Sequence, residues 1–212
     1  MSDHERQPIF NAPWPAVLAT LVIVVGYFLQ TFFSQNWLLR SYAFSSQALT
    51  DGRWPTLFTS IFLHGSWAHA LMNAGAALAF GAPVARYFGS SLRGALVFLV
   101  FYLLCGALAG LGYGIANPGS SALMIGASGA VSGLVGAGVR LLAGRGLPGP
   151  YFSPPVVSMT IGWIVVNLLL ALVGFAPGLG DAGVAWEAHI FGYLAGLLLI
   201  GAFGWFSDLV RA

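Results

Sequence analysis

Of the chain's 212 residues, 58% are apolar and only 7% are charged, whereas soluble domains carry about 25% charged residues, so its solvent is expected to be largely lipid. The net charge of +2 comes from eight arginines spread singly along the chain, with no lysine. This excludes the clustered basic surface of a nucleic-acid-binding protein, and the single cysteine, Cys105, excludes an internal disulfide and a cysteine-rich zinc site.

A helix needs about 20 apolar residues to cross a bilayer. Residues 1–13 read as a tail, and the uncharged run 15–33 as the first crossing. No small-residue cleavage site follows that run, so it is expected to stay as a helix and not to be removed as a signal peptide. Residues 54–85 carry no charge and hold a second crossing at about 60–85. The run 94–139 is uncharged but too long for one helix. Asn117-Pro118-Gly119-Ser120-Ser121 is turn chemistry and breaks it, giving crossings at about 92–113 and 128–142. A Gly/Pro-rich loop over 146–155 leads to a fifth helix at about 156–174, and a sixth follows at about 188–207. The expectation is an all-α polytopic membrane protein: a cytoplasmic N-terminal tail (1–13), one six-helix membrane domain (14–207) and a cytoplasmic C-terminal tail (208–212).

Arginines favour the cytoplasmic side. With the N-terminus inside, Arg6, Arg86, Arg93, Arg140, Arg145 and Arg211 face the cytoplasm, and Arg40 and Arg53 face out with Asp51, Asp181 and Glu187. Both termini are therefore expected inside, and a bacterial cytoplasmic membrane is the expected location.

Polar side chains inside such spans are expensive and mark functional sites by default. The fourth helix opens with Ser128 and the sixth, near its start, carries His189, so both are expected near the outer face. The second helix enters from the same side with His69 and Asn73, four apart and thus on one face. Counting back from Pro83 places these two roughly 8–14 Å below the surface. A serine hydroxyl becomes a nucleophile when a histidine takes its proton. Attack on a carbonyl then needs donors aimed at the oxyanion, which Asn73, His69 and the Ser128 backbone N–H could supply. No Asp or Glu lies within a span to orient His189, so the expected unit is a dyad, with Tyr193 or Phe191 as neighbours of the histidine.

Small residues let helices approach closely in lipid. Gly129, Gly133 and Ala137 form such a stripe on the fourth helix, and Gly192 and Gly196 form one on the sixth. Ile200 is expected to face lipid. Ser132 is expected to bond a backbone carbonyl one turn back, His64 to play a structural or gating role at the interface, and Cys105 to act as a small buried hydrophobe.

Three segments in this order carry a resemblance: Phe62-Leu63-His64-Gly65-Ser66-Trp67-Ala68-His69-Ala70-Leu71-Met72-Asn73, then Gly126-Ala127-Ser128-Gly129-Ala130, then Ala188-His189-Ile190-Phe191-Gly192-Tyr193-Leu194-Ala195-Gly196. Over nearly its whole length the chain resembles rhomboid intramembrane serine proteases. The resemblance implies a six-helix rhomboid-like bundle, Ser128 as nucleophile, His189 as general base, and His69 and Asn73 as oxyanion donors. It also implies cleavage of transmembrane protein substrates near the outer face, with no cofactor, and makes the loop between the first two helices a membrane-dipping structural loop. Two positions depart from the family pattern: the loop reads Gly52-Arg53-Trp54-Pro55-Thr56 where many members have Trp-Arg, and Ser132 stands where many have an aromatic.

The alternatives are a rhomboid-like protein that binds membrane clients without cleaving them, and a polar-site transporter. The first should lack nucleophile or base, and the second usually uses intramembrane carboxylates. A zinc protease would need H-E-x-x-H, which is absent, so no metal partner is expected. Gly178-Leu179-Gly180-Asp181 has the GxGD form of aspartyl intramembrane proteases but lacks a second membrane aspartate.

Overall fold

The computed structural model describes residues 11–173 and 184–209. Arg6, Arg211, the Gly178–Asp181 motif, most of both tails and Gly174 of the fifth expected helix lie outside them. Among the described residues the chain forms nine α-helices: α1 (Trp14–Gln30), α2 (Gln35–Tyr42), α3 (Ser46–Thr50), α4 (Thr56–Thr59), α5 (Trp67–Phe88), α6 (Leu92–Ala116), α7 (Ser128–Ala143), α8 (Pro154–Val173) and α9 (Trp186–Leu209). A single 3₁₀ turn, Ser60–Phe62, follows α4. The described residues contain no named strand, only isolated β-bridges such as Phe44 with Met124.

Four helices, α5, α6, α8 and α9, are long and apolar enough to cross a membrane. α1 and α7 are apolar but shorter, at 17 and 16 residues. α1 stops before the end of its apolar run because Thr31, Phe32 and Phe33 turn back with i→i−3 bonds to Phe28, Leu29 and Gln30, the tightening that closes many helix ends. α7 is buried nearly all round, so its partners are protein and not lipid. A helix without a polar face is what such a position requires.

The start of α5 differs most from the sequence expectation. The helix begins at Trp67 and not near residue 60, because Ser66 caps it: its Oγ accepts from the His69 N–H at 3.1 Å. Residues 60–66 instead form the 3₁₀ turn and an extended approach. His69 and Asn73 therefore lie about 3 and 9 Å from the helix start at 1.5 Å per residue.

The segment between α1 and α5 is tied down by backbone acceptors. Arg53 donates through Nη2 to the carbonyls of Arg40 and Ser41 at 2.7 and 2.9 Å, while the neighbouring Trp54 side chain is exposed. The Gln30 amide, at the end of α1, donates to Phe62 O at 2.7 Å and accepts from His64 N at 3.1 Å. The far end of α5 meets the start of α1 through Trp14 Nε1 to Ser90 O and Arg86 Nη2 to Asn11 O. α1 and α5 are thus an antiparallel pair.

α9 packs on α7 and α6. Ile200, expected to face lipid, is fully buried, because α9 meets two helices and not one. α8 is the most exposed long helix: of its residues only Val156 and Asn167 are buried. Arg140, in the last turn of α7, is buried and donates to Gly149 O at 2.9 Å and Leu197 O at 3.1 Å, with its guanidinium 3.9 Å from the centre of the Tyr151 ring. It clips together α7, the following loop and α9.

Candidate active site

The first turn of α5 fixes one wall. The Gly65 N–H points at His69 Nδ1 at 3.4 Å, which makes Nδ1 the acceptor and leaves the proton of a neutral ring on Nε2. Asn73, buried one turn on, donates one N–H to the His69 carbonyl at 3.0 Å and keeps its second. Gly126 stands beside both: a Cβ there would lie 2.6 Å from His69 Nε2 and 3.9 Å from Asn73 Nδ2, and its φ is +115°. Only glycine combines that backbone angle with that free space.

His64 braces this wall from behind. Its Nε2 accepts from the Ala127 N–H at 3.5 Å, and its ring meets His69 edge to face at 5.0 Å. It precedes α5, outside the membrane-spanning helices. Burial, and then the neighbouring His69, lower its pKa to about 4, so it stands neutral at physiological pH.

α7 begins with Ser128. The first N–H groups of a helix have no intrahelical acceptor and carry its positive end, so the backbone around Ser128 is electropositive. Ser132 Oγ donates to the Ser128 carbonyl at 2.7 Å, the back-bond expected of it.

His189 lies in the first turn of α9, and its Nδ1 is 2.8 Å from Asn167 Oδ1 on α8. The neighbours expected for His189 are elsewhere. Tyr193 OH pairs with Thr160 at 2.8 Å and its ring stacks on Trp163 at 5.7 Å, while Phe191 lies against Gly112 of α6. Sequence reasoning missed Asn167, although an amide in the apolar run 156–174 is itself the signal that drew attention to Asn73.

One cavity of about 690 Å³ is lined by Ser128, His189, His69, Asn73 and Asn167 together. Within it, His189 is bonded to Asn167, and no hydrogen bond joins it to Ser128 among the described residues. α7 and α9 approach through glycines: a Cβ on Gly192 would overlap the Gly129 carbonyl, and one on Gly196 the Gly133 carbonyl. On the other side of α7, a Cβ on Gly129 would lie 2.6 Å from the Cβ of Ala109, and one on Gly133 would overlap Cys105 of α6. Ala137 is fully buried further along α7, and Cys105 is fully buried too. Among the described residues no three His, Cys, Asp or Glu side chains group as a metal site.

Residues 51–206 match the family model described as the rhomboid domain. The chain belongs to the rhomboid family. This rhomboid is 29% identical over 157 residues to the rhomboid protease GluP of Bacillus subtilis, covering 74% of the present chain and 27% of GluP. It is 26% identical over 153 residues to YdcA of the same organism, provisionally named a rhomboid protease, covering 71% of this chain and 68% of that one. The chain thus spans about a quarter of the length of GluP. Family and apolar helices together make this rhomboid an integral membrane protein.

Proposed function

We propose that this rhomboid is an intramembrane serine endopeptidase in which Ser128 is the nucleophile and His189 the general base. The observation that carries this reading is the common cavity: a serine, two histidines and an asparagine from the starts of α5, α7 and α9 line it in a chain of the rhomboid family. The proposal includes six membrane crossings, with α1 and α7 as the two short ones in a domain spanning residues 14–207. It also includes both termini in the cytoplasm and the cavity opening near the outer face.

In this mechanism Ser128 Oγ attacks the scissile carbonyl carbon while its proton passes to His189. The carbonyl π pair moves to oxygen, and the oxyanion takes hydrogen bonds from Asn73 Nδ2, His69 Nε2 and the Ser128 N–H. Collapse of the intermediate breaks the C–N bond, and the His189 imidazolium gives its proton to the leaving amine. Water, deprotonated by His189, then releases the acyl group. A nucleophile enclosed by helices reaches only a peptide bond freed from helical hydrogen bonding. Substrates are therefore single-span proteins with a small residue at the cut and a Gly or Pro that weakens the helix nearby.

A fluorophosphonate probe on membranes tests the reading. Labelling and substrate cleavage should both vanish in Ser128→Ala and His189→Ala, and the double variant should be no worse than either, because the two act as one unit. Substantial cleavage by purified Ser128→Ala would refute it. The client-binding and transporter readings expect no label that depends on Ser128.

A further inference from the structure

We propose that Asn167 is the positioning residue for His189, so that the reacting pair is completed by a third side chain supplied from α8. The proposal rests on the serine-protease reading above and adds to it the source of the histidine's orientation.

Asn167 is 2% exposed and lies in a helix that is otherwise almost entirely apolar. Its Nδ2 donates to the Trp163 carbonyl at 2.8 Å, which turns Oδ1 toward the 2.8 Å contact with His189 Nδ1. An amide oxygen is an acceptor only, so Nδ1 carries the ring proton and Nε2 is left bare. A bare Nε2 is the state a general base needs before it takes a proton from a serine. The histidine of a serine protease is commonly held in this tautomer by a carboxylate, and asparagine performs the same task in papain-like enzymes. Among the described residues no carboxylate lines this cavity. A neutral acceptor holds the ring without placing an ion among apolar helices, where an unpaired charge is costly.

The stripe that brings Asn167 into place supports the same conclusion. Val156, Thr160, Trp163 and Asn167 follow one another at helical spacing along one face of α8. Thr160 and Trp163 engage Tyr193, Val156 joins the apolar cluster of Val139 and Tyr193, and Asn167 meets His189. The rest of α8 is largely exposed. The contacts that dock this helix are therefore aligned with the histidine that Asn167 holds.

Purified Asn167→Leu and Asn167→Asp, assayed on a reconstituted single-span substrate beside Ser128→Ala, test the proposal. Asn167→Leu removes the acceptor at similar volume. It should lower kcat on the order of 10²-fold with KM little changed, and ¹⁵N spectra of the histidine rings should show His189 losing its Nδ1–H tautomer. Asn167→Asp restores an acceptor. It should recover most of kcat and raise the low-pH limb of the kcat profile by about one pH unit or more, because an opposite charge favours the imidazolium. His69 of α5, the other histidine lining the cavity, is bonded by the Gly65 N–H and not by Asn167, and Glu187 on α9 accepts from Asn117, so a limb moved by Asn167→Asp belongs to His189.

If Asn167→Leu melts too early to assay, Asn167→Asp decides: an unmoved limb, or a kcat lost despite a folded protein, overturns the proposal. Parental kcat in Asn167→Leu with inactive Ser128→Ala overturns the proposal and leaves the protease reading standing. Cleavage by Ser128→Ala overturns both.

Discussion

Gly196→Ala adds a single methyl group to the seam between α7 and α9. The new Cβ would overlap the Gly133 carbonyl and lie 2.7 Å from Gly133 Cα. Carbon atoms rest comfortably about 3.5–4.0 Å apart, so the seam must open by about 1 Å. The obstacle is backbone on both helices and has no rotamer to move into. Overpacking of this kind costs about 1–3 kcal/mol, which lowers the melting temperature of a chain this size by roughly 2–4 °C per kcal/mol. His189 lies two turns from Gly196 on the same helix, so the displacement carries His189 away from Ser128. Misplacement of about 1 Å costs on the order of 10²-fold in rate, or about 3 kcal/mol of barrier. The assay is the turnover of a reconstituted substrate together with the rate of fluorophosphonate labelling and a thermal melt. Gly201→Ala and Gly162→Ala serve as controls: the former's Cβ would come no closer than 3.7 Å to Arg140 Nη1, and the latter's would meet nothing within 4 Å. If Gly196→Ala cleaves and melts like the parent, the glycine seam does not set the distance between serine and histidine.

Asn73→Ala, measured by kcat on the same substrate, should lower turnover on the order of 10²–10³-fold, the usual cost of one oxyanion donor. The protein should still fold, because its neighbours keep their backbone bonds, and full activity in both Asn73→Ala and His69→Ala would move these residues to a structural role. His64 should make stability fall with acid. Its pKa is about 4 folded against an ordinary value of 6.5, so above pH 6.5 both states are neutral, and below it only the unfolded state gains a proton. Stability should therefore decline from about pH 6.5 to about pH 4 by about 3 kcal/mol at about 1.4 kcal/mol per pH unit. In thermal melts His64→Asn should flatten that window relative to the parent, and an unchanged slope would count against the buried neutral histidine.

How much of this site could be read from the chain follows from what sequence encodes. Ser128, His189, His69 and Asn73 were legible because each is a polar group in a run that lipid would otherwise solvate. Positions of the apolar helices were legible from uncharged lengths, and α1, α6, α7, α8 and α9 lie close to the expected ones, whereas the short α2, α3 and α4 had no expected counterpart and α5 starts later. There hydropathy ran on through 60–66, while the backbone obeyed the cap at Ser66, a local hydrogen bond that apolar counting ignores. The Asn167–His189 pairing was illegible for a different reason. It joins residues 22 apart on separate helices, and which face of α8 meets α9 depends on how both are rotated about their axes. The burial of Ile200 was hidden likewise, since an apolar residue looks the same to a hydropathy count whether lipid or a second helix covers it.

The same logic explains how so many polar groups are held in an apolar bundle. Asn73, Asn167 and Ser132 each donate to the carbonyl four residues back, at His69, Trp163 and Ser128. Thr20 and Asn117 do so at Ala16 and Tyr113. Such a bond needs no second helix and satisfies one valence wherever the side chain sits. For the two asparagines of the cavity it also fixes which end of the amide is spent: both use Nδ2, which leaves a second N–H and the Oδ1 acceptor. Asn73 brings a free N–H to the space beside Gly126, where the oxyanion is proposed to form, and Asn167 offers Oδ1 to a ring N–H. One local bond thus makes a donor of one asparagine and an acceptor of the other, and the difference lies in which neighbouring helix each amide meets.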